Sequence, residues 1–197
     1  MNLFLDTETT GHWDFKSPTT ADHQPHIVQI AAMLLATDGN TIAGAMNFII
    51  EPAAWDISAE VVKVHHISKD LAMAVGIPRK VALAAFNHLL KHSRRLVAHN
   101  LAFDFAVMEA QFAREGQQMR MNGVEKICTM NAATPVLKLP KGWVGKKGDE
   151  WKWPSLTETY QHYFPGEDFE DKHNAQGDLL ALIRIFNAMV KAGHLKP

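Results

Sequence analysis

The chain opens on a short apolar run, Asn2-Leu-Phe-Leu-Asp-Thr, that enters the polar turn Thr9-Thr10-Gly11, as a strand does at its end. A polar stretch from His12 to His26 predicts a long loop. Two apolar segments, His26 to Ala36 and Thr41 to Glu51, flank Asp38-Gly39-Asn40 and predict a hairpin. Ser58 can cap a short helix reaching His66, and Pro78 stands near the start of another that runs to about His92. Arg95 to His99 reads as a buried strand and Glu125 to Thr129 as a fifth, short one. Between them, the three-and-four spacing of Phe105, Met108 and Phe112 predicts a helix over Leu101 to Glu115. Ser155 with Glu158 forms a capping box for a helix through Tyr163. Leu179, Leu182, Ile183, Phe186, Met189 and Val190 keep the helical period to the end. Strands first and helices interleaved later predict an α/β fold with a mixed five-stranded sheet and helices on both faces.

Acidic residues fall at informative places in this pattern. Asp6 and Glu8 are two apart on the first strand and so share a face. Asp104 lies near a helix start, and Asp178 opens the last helix. His173 precedes that helix by five residues, with Gly177 between it and Asp178 arguing for a mobile loop. Each block alone is a weak signal. A D-x-E pair on a strand is ordinarily a solvated edge, an Asp at a helix start ordinarily favours the helix dipole, and a loop histidine is ordinarily only that. Together and in this order they read as a carboxylate cage of hard oxygen ligands, suited to magnesium or manganese rather than zinc, with a histidine beside it.

These blocks resemble the motifs of the DEDD superfamily of 3′–5′ exonucleases, in its DEDDh (DnaQ-like) branch, over Leu3 to about Met189. D-T-E-T-T-G is similar to the first motif, H-N-x-x-F-D to the second, and H-x-x-x-x-D to the third; Asn174 and Ala175 stand where the other branch would carry tyrosine. Val64-His65-His66-Ile67, Cys128-Thr129-Met130 and Trp153-Pro-Ser-Leu resemble softer landmarks. The resemblance implies a ribonuclease H-like sheet of three antiparallel strands followed by two parallel ones. It implies two divalent cations, Mg2+ or Mn2+, bound by Asp6, Glu8, Asp104 and Asp178, with Asp6 bridging them and His173 taking a proton from the attacking water. It also implies a terminal-nucleotide pocket built from Thr7, Thr9, His12, His65, Asn100 and Phe103, with Thr9 holding the 3′ hydroxyl. The product would be nucleoside 5′-monophosphates. Three positions depart from the pattern: His12 where Leu or Met is common, His66 where glycine is usual, and Gln29 where many relatives carry Glu. They bear on substrate preference.

Composition narrows the reading. With 197 residues and 47% apolar content the chain can bury a full core, so a single domain over 1–197 is expected. One cysteine excludes an internal disulfide, and no signal peptide or membrane span is visible, which points to the cytoplasm. A net charge of -1 is unlike that of a protein coating long nucleic acid and fits one that grips a strand end. The expected partner is the 3′ end of single-stranded DNA, with no membrane and no nucleotide cofactor. The same chemistry on RNA, as in oligoribonuclease and RNase T, stays open. A polymerase-associated proofreading subunit is the further alternative; the proofreading epsilon subunit carries a C-terminal anchor, whereas this sequence stops just past its final helix.

Three features remain outside this reading. Residues 79 to 95 hold Arg79, Lys80, Lys91, Arg94 and Arg95 without an acid, while Glu167 to Asp171 hold four acids; both read as solvated surfaces. Thr134 to Pro154 is irregular, with Trp143, Trp151 and Trp153 among five lysines, and either stacks on bases or packs on the core. His88 and His92 lie at i and i+4 but lack a third zinc ligand, and read as surface residues.

Overall fold

The computed structural model describes residues 1–141 and 151–196. In chain order the elements are β1 (Asn2–Thr9), β2 (Ile27–Leu35), β3 (Ile42–Ile49), α1 (Ala59–His65), α2 (Lys69–Val75), α3 (Arg79–Leu90), β4 (Arg95–Ala98), α4 (Leu101–Arg114), β5 (Glu125–Cys128), α5 (Thr129–Leu137), α6 (Leu156–Tyr163) and α7 (Ala175–Lys191). The sheet runs β3-β2-β1-β4-β5. β1 pairs antiparallel with β2 and parallel with β4, β2 pairs antiparallel with β3, and β4 pairs parallel with β5. This is the ribonuclease H-like arrangement of three antiparallel and two parallel strands.

Apolar burial on both faces explains why the inner strands read as unbroken hydrophobic runs. Leu3 and Leu5 of β1 pack with Ile30, Leu83, Phe86, Met108 and Phe112, so α3 and α4 cover one face. Phe4, Ala31 and Val97 pack with Leu179, Leu182 and Phe186, so α7 covers the other. Phe4 and Phe186 meet edge to face at 5.2 Å. Each such fully buried side chain contributes about 1.5–3 kcal/mol relative to exposure. β1 is thereby fixed from both sides, and whatever it carries past its apolar stretch is held on a rigid element.

The polar loop between β1 and β2 is pinned where it returns to the sheet. Thr10 and His26 exchange two hydrogen bonds, N–H to carbonyl at 3.0 Å and N–H to hydroxyl at 3.0 Å. Arg114 donates to the Gln24 and Pro25 carbonyls at 2.6 and 2.8 Å. His26 stacks on Trp55 at 5.0 Å, and burial, then Arg114 and Arg79, depress its pKa to about 4. It is therefore neutral at pH 7. Arg79 also pairs with Glu115 at 2.7 Å and Arg95 with Glu125 at 3.0 Å, so the acid-free basic run finds acids elsewhere in the chain. Within the acidic run, Glu167 pairs with Arg184 and Asp168 with Lys172.

Two helices lie where none was expected. α2 begins at Ser68, whose hydroxyl accepts from the Leu71 N–H at 3.1 Å; its exposed Leu71, Met73 and Val75 blur the amphipathic period. α5 contains Pro135, which reads as a breaker. The proline stands in the last turn, where only one intrahelical bond is lost. The capping box at α6 forms with both of its bonds. Trp143 and its lysine neighbours lie outside the described residues; Trp151 bridges Pro140, and Trp153 is 64% exposed. Among the described residues no helix is long and apolar enough to cross a membrane.

His66, at the C-cap of α1, adopts φ 61°, in the left-handed region. That conformation costs a β-carbon-bearing residue about 1–2 kcal/mol, and glycine gives back roughly 0.5–1 kcal/mol of that in chain entropy. His66→Gly should stabilise the protein by a few tenths to about 1 kcal/mol. Urea denaturation of both proteins measures this; a destabilised glycine variant would show that the His66 side chain makes a compensating contact.

Candidate active site

Asp6 and Glu8 continue the face of β1 that carries Phe4, the face covered by α7. Asp178 sits in the first turn of α7 and comes down onto them. Carboxylate oxygens of Asp6, Glu8 and Asp178 all lie within 4.8 Å of one another. Asp104 approaches from the first turn of α4, on the far side of the strand, and is 4% exposed. Its Oδ1 accepts the Thr7 hydroxyl at 2.8 Å. It stands outside the close group of three, yet its charge is the largest of those acting on Asp6.

Burial and mutual repulsion set the electrostatics. Burial foremost, then the charges of Asp104, Asp178 and Glu8, raise Asp6 well above the ordinary carboxylate range. Glu8 is pushed up to about 8 by burial and by Asp178 and Asp104. Burial lifts Asp104 to about 7 despite the Thr7 hydrogen bond. Asp178 is lifted to about 6 by burial, opposed by the nearby His173 imidazole and backbone N–H and by Lys172. Carboxylates brought together out of water need a compensating charge. The all-oxygen donor set therefore fits a hard divalent cation.

His173 is exposed and has φ 59°, and Asp171 has φ 54°. His173 lies in the non-helical segment before α7, as expected, but Gly177 is not part of that loop. It lies inside α7, and a β-carbon there would collide with the Asp171 carbonyl oxygen and come within 2.8 Å of the Asp171 Cβ. Glycine is needed because the 171–173 segment lies directly on the helix's first turn.

The other expected site residues are placed unevenly. His65 is 3% exposed; its Nδ1 accepts from the Ile67 N–H at 3.1 Å, and its Nε2 has no hydrogen-bond partner among the described residues. Asn100 and Phe103 share the opening turn of α4 with Asp104, Asn100 at φ 64° and exposed, Phe103 half-buried against the core. His12 is exposed at the start of the loop. The Thr9 hydroxyl donates to the Gly11 carbonyl at 2.7 Å, so its proton is spent inside the turn. His88 and His92 touch as rings at 5.3 Å and gather no metal cluster among the described residues. Two polar side chains beside the site have structural roles that the sequence did not assign to them. Asn174 is the α7 N-cap, a role its residue type could have signalled, and Gln29 contacts it from 145 positions away, which no local pattern reveals.

The RNase T exonuclease family model matches residues 3–186. No curated protein matches the sequence. Among solved structures the fold is similar to exonuclease I, in a structure reported to suggest how processivity is achieved, with TM-score 0.76 and 19% identity over 96% of this chain and 40% of that one. The zinc-bound E. coli exonuclease I complex with single-stranded DNA matches with TM-score 0.74 and 19% identity, over 97% of this chain and 40% of that one. E. coli exonuclease I with a dT13 oligonucleotide gives 0.73 and 20% over 96% and 40%. The chain thus spans about 40% of the length of these exonuclease I chains, and the likeness concerns the fold.

Raised carboxyl pKa values mean that the folded state holds protons the unfolded state has lost, from the ordinary range near ~4 upward. Stability then falls as pH rises through the folded values of about 6, 7 and 8 for Asp178, Asp104 and Glu8. The depressed His26 gives an opposing rise that fades as pH passes the ordinary histidine value of 6.5 and is gone about one unit above it. In EDTA, Tm should fall between pH 6.5 and 8.5, and Mg2+ should raise it more at pH 8.5 than at 6.5. Glu8→Gln should flatten the chelated profile. A chelated wild-type Tm that is level over that window would remove the electrostatic description of the site.

Proposed function

The chain belongs to the RNase T exonuclease family, and from that membership we propose a 3′–5′ exonuclease that hydrolyses single-stranded DNA to nucleoside 5′-monophosphates with two divalent cations, Mg2+ or Mn2+. The observation that carries the proposal is the convergence of Asp6, Glu8 and Asp178 from the two ends of the chain within 4.8 Å. Asp104 completes the ligand set from the opposite side, and the whole chain acts as one nuclease domain. Cations bound there would offset the negative charge of the scissile phosphate and of the departing 3′ oxygen and make water nucleophilic near neutral pH.

The protein's own groups then have defined tasks. Asp6, with Glu8 and Asp178 beside it, would serve as the ligand common to both cations. The His173 imidazole, at the exposed rim beside Asp178, takes the proton of the attacking water, a task imidazole suits at physiological pH. The Nε2–H of His65, without a partner among the described residues, donates to the terminal nucleotide. Phe103 and Asn100 border that nucleotide from the first turn of α4, and His12 meets it from the loop. Thr7 is better placed to orient Asp104 than to touch substrate. Since the Thr9 hydroxyl is used by Gly11, recognition of the 3′ hydroxyl falls to the Thr9 backbone or to the hydroxyl's lone pairs. DNA is preferred as substrate on the likeness to exonuclease I, which has been captured with a dT13 strand.

Asp6→Ala and Asp178→Ala should abolish degradation of a 5′-labelled oligonucleotide while leaving the fold intact by circular dichroism; wild-type rates in either would dissolve the site. His173→Ala should lower kcat by about 10²-fold or more. A 3′-phosphorylated strand should resist. Matched DNA and RNA oligomers, assayed in EDTA and after Mg2+ or Mn2+ is restored, test the sugar and the metal together. Cleavage that survives chelation would refute the metal dependence, and faster degradation of RNA would move the substrate to that class.

A further inference from the structure

We infer that Gln29 is the positioning residue of this site: from β2 it holds the first turn of α7, and with it Asp178 and His173, in register with β1. The inference rests on the proposed roles of those two residues. Gln29 is 3% exposed and stands opposite Glu8 across the β1–β2 pair. Cross-strand partners point to the same side of a sheet, so its side chain rises beside the carboxylate group toward α7. There its Oε1 accepts from the Ala175 N–H at 3.1 Å. Its Nε2 donates to Asn174 Oδ1 at 3.4 Å and to Asn47 Oδ1 at 2.9 Å.

These bonds answer a need of the helix. The opening N–H groups of an α-helix lack intrahelical acceptors. In α7 the Gln176 N–H is taken by the Asn174 side chain at 3.1 Å, as for an ordinary N-cap. The Ala175 N–H sits on a fully buried residue and is taken instead by Gln29, from a strand 146 positions earlier. Asn47 of β3 extends the tie by donating to Gln176 Oε1 at 2.7 Å. The helix start is thus fastened to β2 and β3 on one side, while Asp171 presses against Gly177 on the other. Asp178 and His173 lie within four residues of Asn174 and Ala175, so a slip of this turn moves a metal ligand and the proton acceptor together.

An amide is the functional group that does this. It accepts from Ala175 and donates to Asn174 and Asn47 at once, and it adds no charge next to Glu8, whose pKa is already raised to about 8. A carboxylate keeps the acceptor and loses both donors. A thioether of similar length keeps neither.

Gln29→Met should leave the far-ultraviolet spectrum unchanged and raise the hydrogen-exchange rate of the Ala175 amide at least about ten-fold in chelated protein. It should lower kcat by about 10- to 100-fold and raise the Mn2+ dissociation constant by a similar factor, with KM for a short oligonucleotide unchanged. Gln29→Glu should keep the Ala175 amide protected and give a rate between those of Gln29→Met and wild type. Wild-type exchange and wild-type kcat in Gln29→Met overturn the inference. If Gln29→Met does not fold, fast exchange of Ala175 in Gln29→Glu overturns it, and retained protection upholds it. The exchange measurement needs neither metal nor substrate. An inactive wild-type protein would therefore refute the proposed function and still leave the Gln29 tie tested.

Discussion

Asp6, Glu8 and Asp178 present carboxylate oxygens within 4.8 Å of one another, and Asp104 adds a fourth acid, buried behind the strand. Water would screen such a group on an open surface. Here burial weakens that screening, so the acids hold their protons to higher pH unless a cation is shared among them. Most other features near the site serve to hold these acids together against their own repulsion.

The scaffold does so by giving them separate, rigid supports. β1 lies between β2 and β4 and is packed on both faces, so Asp6 and Glu8 extend from a strand that cannot shift alone. Asp178 is carried by α7, whose contact with the sheet runs through Phe186 and Leu182 to Phe4. Asp104 is carried by α4 on the opposite face and tied to β1 through Thr7. The left-handed backbones of His173 and Asp171 add strain of order 1–2 kcal/mol each, which the packing of the loop on Gly177 sustains.

Much of this was legible in the sequence, for physical reasons that differ between elements. The i, i+2 rule put Asp6 and Glu8 on one face of a strand, and the helical period placed Asp104 and Asp178 in the opening turns of their helices. Asp38-Gly39-Asn40 and Ser155 with Glu158 carried their turn and cap in local chemistry. The features that escaped depend on distant partners. Gly177 looked like a loop signal because its close neighbour, the Asp171 backbone, is set by tertiary packing. Gln29 read only as a departure bearing on substrate preference, because the Ala175 N–H and the Asn47 side chain that it bonds are distant in sequence. α2 and α5 were hidden by exposed apolar side chains and by a proline in a last turn. The approach of Asp104 from the face opposite Asp178 likewise needs the β4–α4 connection to be folded.

The central claim is that these acids hold a pair of cations, and a manganese-soaked crystal tests it directly through anomalous scattering. The account predicts two peaks about 3.5–4 Å apart, one oxygen of Asp6 shared between them, with Glu8, Asp104 and Asp178 completing the shells. Manganese bound elsewhere, or acids in this arrangement with no anomalous signal between them at saturating metal, would contradict it.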